Sequence, residues 1–185
     1  MRYSKIYKCD ISNGPGFRIS LFTTGCNHRC KGCFNPETWE LINGKIWTEE
    51  TNKKIIDNLK FDYIDGLSIL GGDPFFYLED MPYNEYINIE SSTNNYLYSL
   101  LKDVKTSFPD KNIWLWTGYV WEDFFKDNTF SERVQLLLPF IDVIVDGPFI
   151  EEKYDRNMKY AGSTNQRVID VQKSLKNNEV VLYTE

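Results

Sequence analysis

Phe17-Arg18-Ile19-Ser20-Leu21-Phe22-Thr23-Thr24-Gly25-Cys26-Asn27-His28-Arg29-Cys30-Lys31-Gly32-Cys33 runs from an alternating apolar segment straight into three cysteines. Ile19, Leu21 and Phe22 make Phe17 to Thr23 a strand, and the Cys loop leaves its end. The same order recurs downstream. Gly66 to Leu70 is a short apolar run that ends in Gly71-Gly72-Asp73-Pro74, Ile113 to Thr117 ends at Gly118, and Ile141 to Val145 ends at Asp146-Gly147-Pro148. Helical stretches lie between them. Thr48 can cap a helix through Leu59, with Glu49 and Glu50 in its first turn. Leu97, Leu100, Leu101 and Val104 recur at helical spacing over Tyr96 to Phe108, and Phe130 to Leu138 is a third helix, stopped by Pro139. Strands alternating with helices predict an α/β fold with a mainly parallel sheet. With too few units for eight strands, the expected form is a partial, open (βα) barrel. Its Gly-bearing loops gather at the C-terminal edge of the strands, where such sheets bind ligands.

The chain has 185 residues, 42% of them hydrophobic and 16% aromatic, enough for a single domain over residues 1–185 with a real core. Its net charge of −6 argues against a nucleic-acid surface. No apolar run approaches the roughly 20 residues of a membrane span, and Met1 to Asp10 lacks the apolar core of a signal peptide. The expected compartment is the cytoplasm, where cysteines stay reduced and a tight Cys group reads as metal binding or catalysis. Phe75 to Thr93 is the least regular segment, and it reads as a surface loop insertion over 75–93.

Cys26-x3-Cys30-x2-Cys33 puts three thiolates on one tight loop, where they can meet three corners of an iron–sulfur cubane and leave one iron open. A zinc knuckle completed by His28 or Cys9 is the competing reading, although Cys9 lies 17 residues upstream of Cys26 and His28 is inside the loop. Lys8, Arg18, Arg29 and Lys31 are near enough in sequence to balance a cluster's negative charge. In Gly71-Gly72-Asp73-Pro74 the glycines allow close backbone approach, the carbonyls can accept from a ligand ammonium group, and Asp73 adds negative charge. The same four residues also make a good plain turn.

Across these motifs the chain resembles the radical S-adenosylmethionine (SAM) superfamily. Within it, the chain is similar to the activating enzymes of anaerobic (class III) ribonucleotide reductase. The stretches that carry the resemblance are Asn13-Gly14-Pro15-Gly16, Gly25 to Pro36, Gly71 to Pro74, Ile113 to Tyr119, Asp142 to Phe149 and Ser163 to Asp170. Most radical SAM loops carry an aromatic just before the third cysteine. Here that position is Gly32 and the aromatic follows as Phe34, a variation that these activases share. The resemblance implies a radical SAM type of barrel and one [4Fe–4S] cluster on Cys26, Cys30 and Cys33. It implies that Gly32, Cys33 and Phe34 lie against the adenosyl group, and that Gly71, Gly72 and Asp73 hold the methionine amino group. It assigns no catalytic residue beyond the cluster ligands. It further implies reductive cleavage of SAM to a 5′-deoxyadenosyl radical and formation of a glycyl radical on the large reductase subunit. A flavodoxin-like protein would be the electron donor. The rival readings are an activase of another glycyl-radical enzyme, such as formate lyase, and a non-catalytic zinc or iron–sulfur module that docks a partner.

Overall fold

The computed structural model describes residues 1–79 and 96–185. Its seven strands are β1 (Arg2–Asp10), β2 (Arg18–Thr23), β3 (Lys45–Ile46), β4 (Gly66–Gly71), β5 (Asn112–Trp116), β6 (Val143–Asp146) and β7 (Arg167–Asp170). The helices are α1 (Glu49–Leu59), α2 (Phe76–Glu79), α3 (Tyr96–Ser107), α4 (Thr129–Gln135) and α5 (Val171–Asn177). Thr48 caps α1 as its sequence predicts, its hydroxyl accepting from the Thr51 N–H at 3.3 Å.

The strands form one open sheet in the order β3-β1-β2-β4-β5-β6-β7. This corrects the expected mainly parallel sheet and the expected partial barrel of the radical SAM type. Only β2–β4, β4–β5 and β5–β6 pair in parallel. The pairings β1–β2, β1–β3 and β6–β7 are antiparallel, so the sheet is mixed. The reason lies in two strands with weak sequence signals. In β1 the register shifts between Tyr3 and Lys5 and again between Tyr7 and Asp10, and such irregularities erase the period of two on which strand recognition depends. β7 is four residues long and mostly half-buried, too short for a pattern.

The two faces of the sheet differ because side chains alternate along each strand. One face carries Ile19, Leu21, Leu67, Ile69, Ile113, Leu115, Ile144 and Ile169, all fully buried. Against it pack Ile55 and Leu59 of α1, Leu100 and Val104 of α3, Val134 of α4 and Val171 of α5. The expected surface loop over Phe75 to Thr93 starts inside this core: Phe75 and Leu78 are buried and Phe76–Glu79 is helical, while residues 80–93 lie outside the described residues.

The opposite face carries Arg18, Ser20, Phe22, Ser68, Leu70, Trp114 and Trp116 in register across β2, β4 and β5. Arg18 is fully buried there, and its guanidinium donates to Ser68 Oγ at 2.6 Å, Asn112 Oδ1 at 2.7 Å and the Leu67 carbonyl at 2.9 Å. It sits at the N-terminal end of the parallel strands, the wrong end of the sheet to balance charge on the Cys loop. It ties β2 to β4 and β5 instead. Arg18→Leu is expected to lower stability by about 3 kcal/mol, because it strands several buried acceptors. Urea denaturation of the apoprotein measures this, and an unchanged midpoint would mean water replaces the guanidinium at no cost.

Candidate functional site

A cavity of about 560 Å³ opens at the C-terminal edge of the parallel strands. Cys26, Cys30 and Cys33 line it from the loop after β2, and Gly71, Gly72 and Asp73 line it from the turn after β4. Thr117 and Gly118 after β5, and Gly147 to Phe149 after β6, complete that rim. Phe22, Leu70 and Trp116 form part of its floor on the face without helices. The sequence assigned these loops to one edge because each follows a parallel strand, and that inference survives the correction to a mixed sheet.

The Cys loop is anchored at its start by backbone bonds: Gly25 N–H to the Thr38 carbonyl at 2.8 Å and Cys26 N–H to the Trp39 carbonyl at 3.1 Å. Its sulfurs face main-chain donors. The N–H groups of His28 and Arg29 lie against the Cys26 thiol, that of Phe149 lies against Cys30, and Asn35 donates to Cys33 Sγ at 3.4 Å. Burial pushes the Cys26 thiol up to about 11, with the charge of Asp73 adding to it, and burial also raises Cys30. Both thiols therefore keep their protons until a cation displaces them.

Among the described residues no three Cys, His, Asp or Glu side chains lie close enough to hold a single metal ion. All three thiols of the loop line the cavity. Cys9 is exposed on β1, level with Ser20 and Arg18 at the far end of β2, about 10 Å or more of strand from the loop. The donor set at the cavity is thus three thiols without a fourth, which fits a cluster with three thiolate ligands.

Gly32 does not line the cavity. It is exposed at the tip of the loop with φ +73°, beside Glu151. Phe34 lines the mouth, 63% exposed, with its ring 5.0 Å from that of Phe149 and 6.1 Å from that of Tyr154. Gly72 meets the Cys loop directly: an added Cβ would lie 2.5 Å from the Gly25 carbonyl oxygen. Asp73 N–H donates to that same oxygen at 2.8 Å.

The Asp73 carboxylate is 2% exposed and is already occupied within the protein. It accepts from Phe75 N–H at 2.9 Å, Thr117 Oγ1 at 2.9 Å and Gly118 N–H at 2.9 Å. His28 Nε2 lies 3.0 Å from Oδ2, a close polar contact without the alignment of a hydrogen bond. Burial by itself would lower the His28 pKa, but the Asp73 carboxylate outweighs it and the net shift is upward. The sequence offers His28 only as a possible zinc ligand inside the loop. Its pairing with Asp73 joins residues 45 positions apart, and no local signal announces such a contact.

Residues 12–169 match the family model described as "4Fe-4S single cluster domain". The three-thiol loop and that match together define an iron–sulfur protein with one cluster. The relatives narrow this. The chain is 42% identical to an anaerobic ribonucleoside-triphosphate reductase-activating protein of Vibrio cholerae over 168 residues, 90% of this chain and 96% of that one. It is 41% identical to the protein of that name from Enterobacteria phage T4, over 91% of this chain and 93% of that one. With the Escherichia coli K12 protein it shares 33% identity over 91% of this chain and 97% of that one. The chain belongs to the family of anaerobic ribonucleoside-triphosphate reductase-activating proteins.

Proposed function

We propose that this chain activates an anaerobic ribonucleoside-triphosphate reductase as a radical SAM enzyme, converting a glycine on the large reductase subunit to a glycyl radical. The observation that carries the reading is the shared cavity: a three-thiol loop and a Gly-Gly-Asp turn from different strands face one space. About 560 Å³ is in the range of small-molecule sites, roughly 300–1,000 Å³.

Cys26, Cys30 and Cys33 hold the [4Fe–4S] cluster, their sulfurs steadied by the main-chain N–H groups that face them. When bound and reduced by a flavodoxin-like donor, the cluster supplies the electron that splits SAM into methionine and a 5′-deoxyadenosyl radical, the species that takes hydrogen from the glycine. The backbone of Gly71 and Gly72 takes the methionine amino group. Asp73 contributes by holding that turn, since its own carboxylate oxygens are occupied by Thr117, Gly118 and Phe75. Cys33 and Phe34 border the adenosyl group from the mouth, and Gly32 acts through the loop's conformation. Phe34, Phe149 and Tyr154 form an aromatic wall at the mouth of the cavity. No helix among the described residues is long and apolar enough to cross a membrane, and the proposed site of action is the cytoplasm.

The decisive experiment mixes the anaerobically reconstituted protein with SAM, a low-potential reductant and a class III reductase large subunit. The expected result is a glycyl radical by electron paramagnetic resonance and 5′-deoxyadenosine in solution. A radical on formate lyase but not on the reductase would favour the other activase reading. A colourless protein holding one zinc would overturn both.

A further inference from the structure

His28 lies between two of the proposed cluster ligands, yet its side chain points away from solvent into contacts made by other loops. Nε2 is 3.0 Å from Asp73 Oδ2, after β4. The ring meets Tyr119 edge-on, with centroids 4.6 Å apart, after β5. It also fills the space at Gly118, where any Cβ would overlap the imidazole. Asp73 in turn binds Thr117 Oγ1 and the Gly118 N–H. One buried carboxylate thus gathers contacts from three of the four loops at the cavity.

The rest of the Cys loop is held differently. Backbone bonds fix its start at Gly25 and Cys26. Further on, Arg29 pairs with Glu40 and Lys31 with Glu151, both on the exposed surface, where ion pairs are worth little. The middle of the loop therefore depends on His28 for its buried side-chain attachment.

We propose that His28 is a positioning residue that fastens the Cys loop to the Gly-Gly turn through Asp73, so that the thiols and the SAM-binding turn are set in one register. The role rests on the function proposed above for the cavity, and it adds a residue that lines the same cavity but acts through Asp73 rather than as a fourth ligand. Its chemistry is specific. A polar side-chain nitrogen must stand against the Asp73 carboxylate at the Nε2 position, which Gln can imitate and Ala cannot.

The first test uses the apoprotein and needs no cofactor. Under anaerobic reducing conditions, iodoacetamide alkylation of each cysteine is followed by mass spectrometry in the wild type, His28→Ala and His28→Gln. The expected result is several-fold faster alkylation of Cys26 and Cys30 in His28→Ala, recovery in His28→Gln, and no change at Cys9. Equal acceleration at all four cysteines would mean general unfolding and would overturn the proposal, as would unchanged rates at Cys26 and Cys30. The second test uses reconstituted protein. His28→Ala should retain its iron but weaken SAM binding about tenfold, the order expected for losing a contact to a charged group, with partial recovery in His28→Gln. The change that SAM makes in the reduced cluster's paramagnetic resonance spectrum should weaken in parallel. Loss of iron from both variants would make His28 a ligand and sink the positioning role. If the wild type itself shows no response to SAM, the proposed function fails, while the alkylation result still stands or falls separately.

Discussion

Replacing any one of Cys26, Cys30 or Cys33 by Ala is expected to leave background iron after anaerobic reconstitution and no detectable 5′-deoxyadenosine, whereas Cys9→Ala keeps wild-type levels of both. The cavity holds three thiols, and Cys9 sits exposed at the far end of β2, too distant to substitute. A cubane held by two thiolates loses a third of its protein attachment and exposes a second iron to water. Iron and sulfide assays, with nucleoside analysis by chromatography, measure the outcome on the four variants side by side. Normal iron and SAM cleavage in Cys30→Ala would remove that residue from the ligand set. Loss of iron in Cys9→Ala would show that the loop around β1 moves far enough to bring in a fourth thiol.

Gly72→Val is expected to lose the cluster as well as SAM binding, with destabilisation of about 3 kcal/mol or more from overpacking. The sequence suggested that Gly72 lacks a side chain so that a ligand can approach. The structure shows a nearer demand: a Cβ there would stand 2.5 Å from the Gly25 carbonyl oxygen and 3.1 Å from Gly25 N and C. These are backbone atoms and cannot rotate aside. Gly25 is also the residue before Cys26, and it is held by Thr38 on one side and Asp73 on the other. Any shift that relieves the clash moves the first ligand. Thermal melting of the apoprotein and iron content after reconstitution test this together. A variant with wild-type melting and full iron but weak SAM binding would show that the Cys loop can yield and that the ligand alone requires the glycine.

The parallel heart of the fold was legible because β2, β4, β5 and β6 are short apolar runs that end in glycine-bearing loops, α1 announces itself by its Thr48 cap and acidic first turn, and α3 shows a helical period. Those signals are local. Cys26, Cys30 and Cys33 were legible for the same reason, since three thiols within eight positions identify themselves by spacing. β1 and β7 were not. The bulged register of β1 scrambles its alternation, and β7 is a four-residue strand stabilised by its pairing with β6.

The sequence by itself determined the order of strands and helices in the parallel core, the three-thiol loop and the edge of the sheet to which the Gly-bearing loops go. Each depends on periodicity or spacing within about a dozen residues. Only the tertiary structure decided that the sheet is mixed and open, and that Arg18 is a buried tie at the far end of the strands. It alone decided that Asp73 spends its carboxylate on Thr117, Gly118 and His28. The Arg18 and Asp73 contacts join residues some 45 or more positions apart, and the antiparallel pairings that make the sheet mixed join separate strands; in both, the partners are fixed when the strands pair and not by any pattern along the chain.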